Sequence, residues 1–317
     1  MKTYLFLILA LLGKHLLYAQ EAPLSADFTI SRNKTTLYGT LVKPAAARKK
    51  VPVVLLITGT GQMNRNLNLG LGRGSDAYKM LADSFASAGI ASVRFDKRGV
   101  GASAAALKHD SLLRFEDHIL DVVACLEKIR QSKQFGPVYL VGHSEGALVA
   151  LIVANRVKVQ GVVCMETLGE RSDIALGKQL NKNTPGKPTE VDTILSQIRA
   201  GHRVKVQNKY LITVFRPSIQ PYMSSLFSYD PREEIKKIKV PVLLINGTND
   251  LQVPADNVQL LQQANPAVAV RMIPRMNYML KEVPEELEVN VASYNDPSLP
   301  ISAALVQEII RFCRSSR

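Results

Sequence analysis

Polar and apolar residues alternate along ADFTISRNKTTLYGTLVK, residues 26–43, which predicts an antiparallel hairpin turning at Arg32-Asn33-Lys34 at a sheet edge. The pattern then changes. VPVVLLIT, residues 51–58, is a continuous apolar, β-branched run of the kind that is covered on both faces of a parallel sheet. It ends in the glycine-rich turn TGTGQ. From there the two periods take turns. DAYKMLADSFASAG is helical and ends at Gly89, IASVRF is a strand, and SLLRFEDHILDVVACLEKIRQS is a long amphipathic helix. PVYLVG, VQGVVCME, VPVLLING and VAVRMI read as further strands, and EGALVALIVANR, DNVQLLQQA and AALVQEIIRFC as the helices among and after them. This order predicts an α/β fold: a mostly parallel, eight-stranded-type sheet with helices on both faces.

Between about residues 168 and 230 the alternation stops. GKQLNKNTPGKPTE reads as a hinge rich in glycine, proline and asparagine, followed by helical turns. The segment falls between two strands of one sheet. It is therefore predicted to be a lid inserted in a single domain spanning 20–317, not a second domain.

The first residues, MKTYLFLILALLGKHLLYAQ, modify this picture at one end. A basic start, an apolar core from Tyr4 to Leu12 and small residues near Ala19 predict an export signal, residues 1–19, cleaved after Ala19. The apolar run is too short for a membrane span, which needs ~20 residues. The expected location is periplasmic or secreted. Net charge is +13, and nine basic against three acidic residues fall between Arg171 and Arg216. A basic rim of that kind would attract anionic substrates. No nucleic-acid motif accompanies it. Cys125, Cys164 and Cys313 match no zinc or redox spacing, and two of them sit inside apolar elements, so all three are read as small core residues. No metal or organic cofactor is implied, and nothing in the sequence sets an oligomeric state.

GHSEG, residues 142–146, carries the chemistry. It matches G-x-S-x-G between an apolar strand and a helix, the context of a nucleophile elbow. The chain must turn from strand to helix within one residue, which leaves Ser144 exposed and excludes bulk at the glycines. With TGTGQ, RFDKRGVGAS, YDPREEIKKIKVPVLLINGTNDLQVP and RMNYMLKE, the chain resembles the α/β-hydrolases, in particular an exported bacterial esterase-like, serine aminopeptidase-like group. The resemblance spans nearly all of the mature chain. It implies hydrolysis of a small carboxylic ester by Ser144, an oxyanion hole from the backbone of Thr60 and Glu145, and Asp250 as the triad acid. Asp256 is a weaker rival, expected to cap the following helix.

The family pattern has histidine where this chain has Tyr278. A phenol titrates near 10 and an imidazole near 6.5, so a neutral tyrosine is a poor proton acceptor. Of the other histidines, His143 adjoins the nucleophile but is expected to turn away, and His202 in the predicted lid could fold over Ser144. His109 and His118 are expected on the solvated surface, and His15 leaves with the leader. Tyr278 would serve as a base only if Lys281 or Arg275 lowered its pKa, a minor alternative. Three readings stay open: an esterase impaired at its base, an inactive relative that binds a small molecule, and a serine peptidase or amidase.

Overall fold

The computed structural model describes residues 22–45, 50–70, 74–183 and 188–315. The predicted signal at 1–19, and 184–187 of the predicted hinge, lie outside the described residues. The strands are β1 (Leu24–Arg32), β2 (Thr35–Lys43), β3 (Val51–Ile57), β4 (Ala91–Phe95), β5 (Phe135–His143), β6 (Gly161–Met165), β7 (Val242–Gly247) and β8 (Ala269–Ile273). They form one eight-stranded sheet in the order 1-2-4-3-5-6-7-8. The hairpin β1–β2 is antiparallel and joins β4 antiparallel, whereas β3 to β8 run parallel. Asn33 and Lys34 close the hairpin with φ of 51° and 60°, the left-handed pair that matches the twist of two strands.

Helices α1 (Ala77–Ser87), α2 (Phe115–Gln131) and α3 (Glu145–Arg156) follow β3, β4 and β5. The strand period of two sorts the core into two layers. Val53, Leu55 and Leu140 pack with Phe115, Ile119 and Leu151 of α2 and α3. Val54, Leu56, Tyr139 and Val141 pack on the other face with Leu81 and Phe85 of α1. That layer is completed by Leu305 and Ile309 of α10 (Ala303–Ser315). Each such side chain contributes ~1.5–3 kcal/mol by leaving water. The three cysteines are buried in these layers, and burial pushes the Cys125 and Cys164 thiols up.

Between β6 and β7 the chain inserts α4 (Ser172–Asn183), α5 (Pro188–Arg199), α6 (Gln220–Leu226) and α7 (Pro231–Lys237). The predicted hinge is mostly helix: α4 runs through GKQLNKN. Gly177 lies where a Cβ would meet Leu195 Cδ1 at 3.1 Å, so the glycine admits α5 instead of breaking α4. Val191, Ile194, Leu195 and Ile198 of α5 join the same core layer as α2 and α3. The insertion is thus packed into the main body. Beyond β7 lie α8 (Asp256–Ala264) and α9 (Leu287–Ala292). No helix among the described residues is long and apolar enough to cross a membrane.

Candidate active site

The C-terminal ends of β5, β6 and β7 and the turns after β3 and β8 meet at one cleft. At its floor Ser144 stands between β5 and α3 with φ 54° and ψ −121°, a conformation that costs ~1–3 kcal/mol and persists only where its surroundings enforce it. Its N–H donates to the Met165 carbonyl at 2.8 Å. Both motif glycines are forced by close backbone approach. A Cβ at Gly142 would sit 2.3 Å from the Gly146 carbonyl, and one at Gly146 would sit 2.4 Å from the Ile57 carbonyl.

The turn after β3 lies against this corner. A Cβ at Gly59 would meet the His143 carbonyl and Ser144 Cβ, each at 3.0 Å. The buried Lys97 ammonium donates to the Gly59 carbonyl and fixes the peptide that leads into Thr60. Thr60 Oγ1 donates to Glu145 Oε2 at 3.4 Å. Glu145 therefore brings a side chain to the site, beyond the backbone N–H expected of it. Its Oε1 accepts the Tyr222 hydroxyl of α6 at 2.6 Å and lies 3.7 Å from His118 Nδ1. Burial opposes its charge, but the nearby His118 imidazole, the Lys97 ammonium and the Tyr222 hydrogen bond outweigh burial and hold the carboxyl below its usual range.

His118 corrects an expectation. It is buried, not solvated, because α6 covers that face of α2 and sets the Tyr222 ring against it, tilted, with centroids 5.4 Å apart. His109 and His202 are exposed.

Opposite this bank stand the acid and the tyrosine. Asp250 follows β7, and its Oδ1 accepts the Gln252 and Val253 N–H groups at 2.6 and 3.0 Å. Burial raises its pKa, and the neighbouring Glu166 carboxyl and those two amides only partly offset this. The acid turn and the tyrosine loop touch through backbone: Asn249 N–H donates to the Met276 carbonyl at 3.0 Å. Asp256 opens α8 as its first residue, with Ala255 at the cap position, so it is not the helix cap expected of it.

Tyr278 is the group beside the Ser144 hydroxyl. Burial pushes its phenol up, the Ser144 hydroxyl opposes this weakly, and the carboxyls of Asp250, Glu145 and Glu166 push it further up. The two cations weighed as activators of the phenol have other partners. Lys281 is fully buried and donates to the Leu299 carbonyl, 3.6 Å from the Met80 sulfur. Arg275 faces Glu282 at 3.7 Å. His143 turns away from the nucleophile as expected. Its Nε2 meets the Tyr278 carbonyl at 2.8 Å, its ring packs edge-on to the Tyr278 ring at 4.4 Å, and burial lowers its pKa to about 4. It is a neutral support for Tyr278.

The cleft encloses about 930 Å³ and is lined by Ser144, Tyr278, Thr60, His118 and residues of the insertion. Several of its cations are already engaged: Arg98 with Asp121 at 2.7 Å, Lys178 with Glu170 at 2.8 Å and Arg216 with Asp110 at 2.9 Å. Among the described residues no group of three His, Cys, Asp or Glu side chains could hold a metal ion.

A family model described as serine aminopeptidase, S33, matches residues 67–277. The chain belongs to this family. The match stops one residue short of Tyr278. A curated relative, esterase EstD of Thermotoga maritima, is 25% identical over 203 residues, 64% of this chain and 47% of that protein. The chain thus spans about half the length of that relative. Among solved structures, Est1E from Butyrivibrio proteoclasticus superposes with a TM-score of 0.59 at 13% identity, covering 91% of this chain and 99% of that one. Pyrococcus furiosus esterase Pf2001 gives 0.56 at 16% identity, covering 92% and 93%. At such identities the likeness is one of fold.

In this S33 family member the elbow and the cleft are complete, while the group facing the serine is a neutral phenol. A phenol donates a good hydrogen bond and accepts a proton poorly. The arrangement can hold a carbonyl compound over Ser144 more readily than it can take the serine's proton.

Proposed function

We propose that the chain hydrolyses small carboxylic esters through an acyl-enzyme on Ser144, slowly, because Tyr278 stands where a base is needed. The backbone N–H groups of Thr60 and Glu145 receive the developing oxyanion, Asp250 is the acid of the site, and the helical insertion serves as a lid. The observation that carries this is the strained Ser144 corner opening into a large cleft. Such strain is kept where it serves a reaction. An oxyanion hole and binding alone still leave ~10³–10⁴ over water when a triad is incomplete.

Esters are favoured over amides. An amine leaving group must be protonated as it departs, and no imidazolium faces Ser144 to do so. An ester releases an alcohol that needs far less help. The engaged cations of the cleft favour a neutral ester over an anionic one. Reaction with a fluorophosphonate probe and release of p-nitrophenol from p-nitrophenyl acetate test the reading: both must disappear in Ser144→Ala. Equal release by the two proteins would refute it.

The raised phenol pKa of Tyr278 favours a second reading, a protein that binds a small ester or acid without turning it over. Saturable binding of an ester with no Ser144-dependent release would select it.

A further inference from the structure

A buried carboxyl stands behind Asp250, and no sequence motif marks it. Glu166 directly follows β6, is fully buried and holds φ at 47°, a region costly for a residue with a Cβ. Its Oε1 accepts the Gly247 N–H at 2.8 Å. Two oxygens remain, Glu166 Oε2 and Asp250 Oδ2, and both are buried without a donor. Strands β6 and β7 are parallel neighbours, with Met165 opposite Ile245, so the two carboxyls leave the same edge of the sheet and meet each other.

The other titratable groups around them are neutral or acidic. Tyr278 comes from the loop after β8, and Tyr294 from the turn Ser293–Asn295 after α9, stacked on Tyr278 at 6.4 Å. The Tyr294 hydroxyl lies near Gln252 and both carboxyls, and the Glu145 charge acts on Tyr278. Among the described residues no lysine, arginine or histidine contributes to the shift of either carboxyl. Two carboxylates cannot both stay charged in such a place. One proton would satisfy both unpartnered oxygens.

We propose that Glu166 and Asp250 share one proton and form a monoanionic pair behind Tyr278, in which Glu166 is a positioning residue that gives Asp250 the hydrogen bond an imidazole N–H would give it. Glu166 is the donor. It is fully buried and accepts one amide, whereas Asp250 accepts two that favour its charge, and burial and the Asp250 charge push the Glu166 carboxyl well above the usual range. The pair belongs to the proposed ester-hydrolysing site, but it exists whether or not Ser144 turns over.

The test is a pH titration of the full chain by carbon-13 NMR, with glutamate and then aspartate carboxyls labelled. One glutamate carboxyl should remain protonated at pH 7 and ionise only in the alkaline range, and its resonance should vanish in Glu166→Gln. The Asp250 midpoint, assigned with Asp250→Asn, should rise in Glu166→Ala and stay near the wild-type value in Glu166→Gln, whose amide still donates. If every glutamate is ionised at pH 7 in the wild-type chain, which needs no variant, the shared proton is refuted. An Asp250 midpoint unmoved by either substitution refutes the positioning role. Neither outcome alters the probe labelling of Ser144, which tests the esterase reading separately.

Discussion

The two banks of the cleft are held in place by different physics. On the nucleophile bank the constraint is backbone against backbone. A Cβ at Gly142 or Gly146 would land within 2.5 Å of a neighbouring carbonyl oxygen, so the corner leaves no room for side chains there. The loops of the opposite bank also meet through backbone, a Cβ at Gly247 lying 1.9 Å from the Met276 carbonyl oxygen, but the side chains of Glu166, Asp250 and Tyr278 are set by hydrogen bonds and burial. The first bank cannot drift without damage to the fold. The second presents a tyrosine whose backbone carbonyl meets His143. A tight elbow beside a phenol is what this difference allows.

The contrast breaks hardest at Tyr278. Tyr278→His should raise turnover of p-nitrophenyl acetate by about 10³-fold or more, ~4 kcal/mol of barrier, if the banks are otherwise in register. Asp250→Asn added to that variant should remove most of the gain. No gain from the histidine would mean that the second bank has moved as well.

Next in size is a steric test of the first bank. Gly146→Val should cost ~3 kcal/mol or more of stability, because its Cβ meets the Ile57 and Thr58 carbonyls at 2.4 and 2.6 Å. Gly136→Ala, where the nearest atom is 3.7 Å from the new Cβ, is the control and should stay within ~1 kcal/mol. Urea unfolding of both reads the difference.

Tyr222→Phe comes third. It removes the 2.6 Å hydrogen bond to the buried Glu145 carboxylate, at a cost of ~1.5–3 kcal/mol in the same unfolding measurement. It should also slow the Tyr278→His variant, since Glu145 and Thr60 are tied together there.

The smallest effect is a pH dependence. The folded-state pKa of Glu166 is raised, so the stability it contributes is full below its unfolded value near 4.3 and is lost as pH climbs through the folded value. The wild-type melting temperature should fall by a few degrees more than that of Glu166→Gln on going from neutral to alkaline pH. Parallel curves would show that Glu166 carries no proton at neutral pH.

What the sequence discloses follows the same division. Continuous apolar runs such as VPVVLLIT, the Asn33-Lys34 turn and GHSEG depend on local sterics, and each is legible as strand, hairpin or elbow. The acid and base banks depend on partners far apart in the chain. Glu166 appears only as a carboxylate ending VQGVVCME, and its meaning comes from Asp250, which approaches from the neighbouring strand. His118 reads as solvated because a helical pattern cannot show that α6 will cover it. GKQLNKN reads as a hinge because Gly and Asn weaken helices, yet packing against Leu195 overrides that preference. Tyr278 is legible as a departure, while its protonation is set by burial that no motif records.

On the proposed reading Ser144 is acylated with no imidazole to take its proton. The most direct measurement is the rate of Ser144 acylation by a p-nitrophenyl ester from about pH 5 to about pH 9. The wild-type rate should climb without an inflection near ~6.5, the range of an imidazole, and an inflection should appear there in Tyr278→His. A wild-type profile already levelling off around that midpoint would contradict it, because some histidine would then be serving the serine.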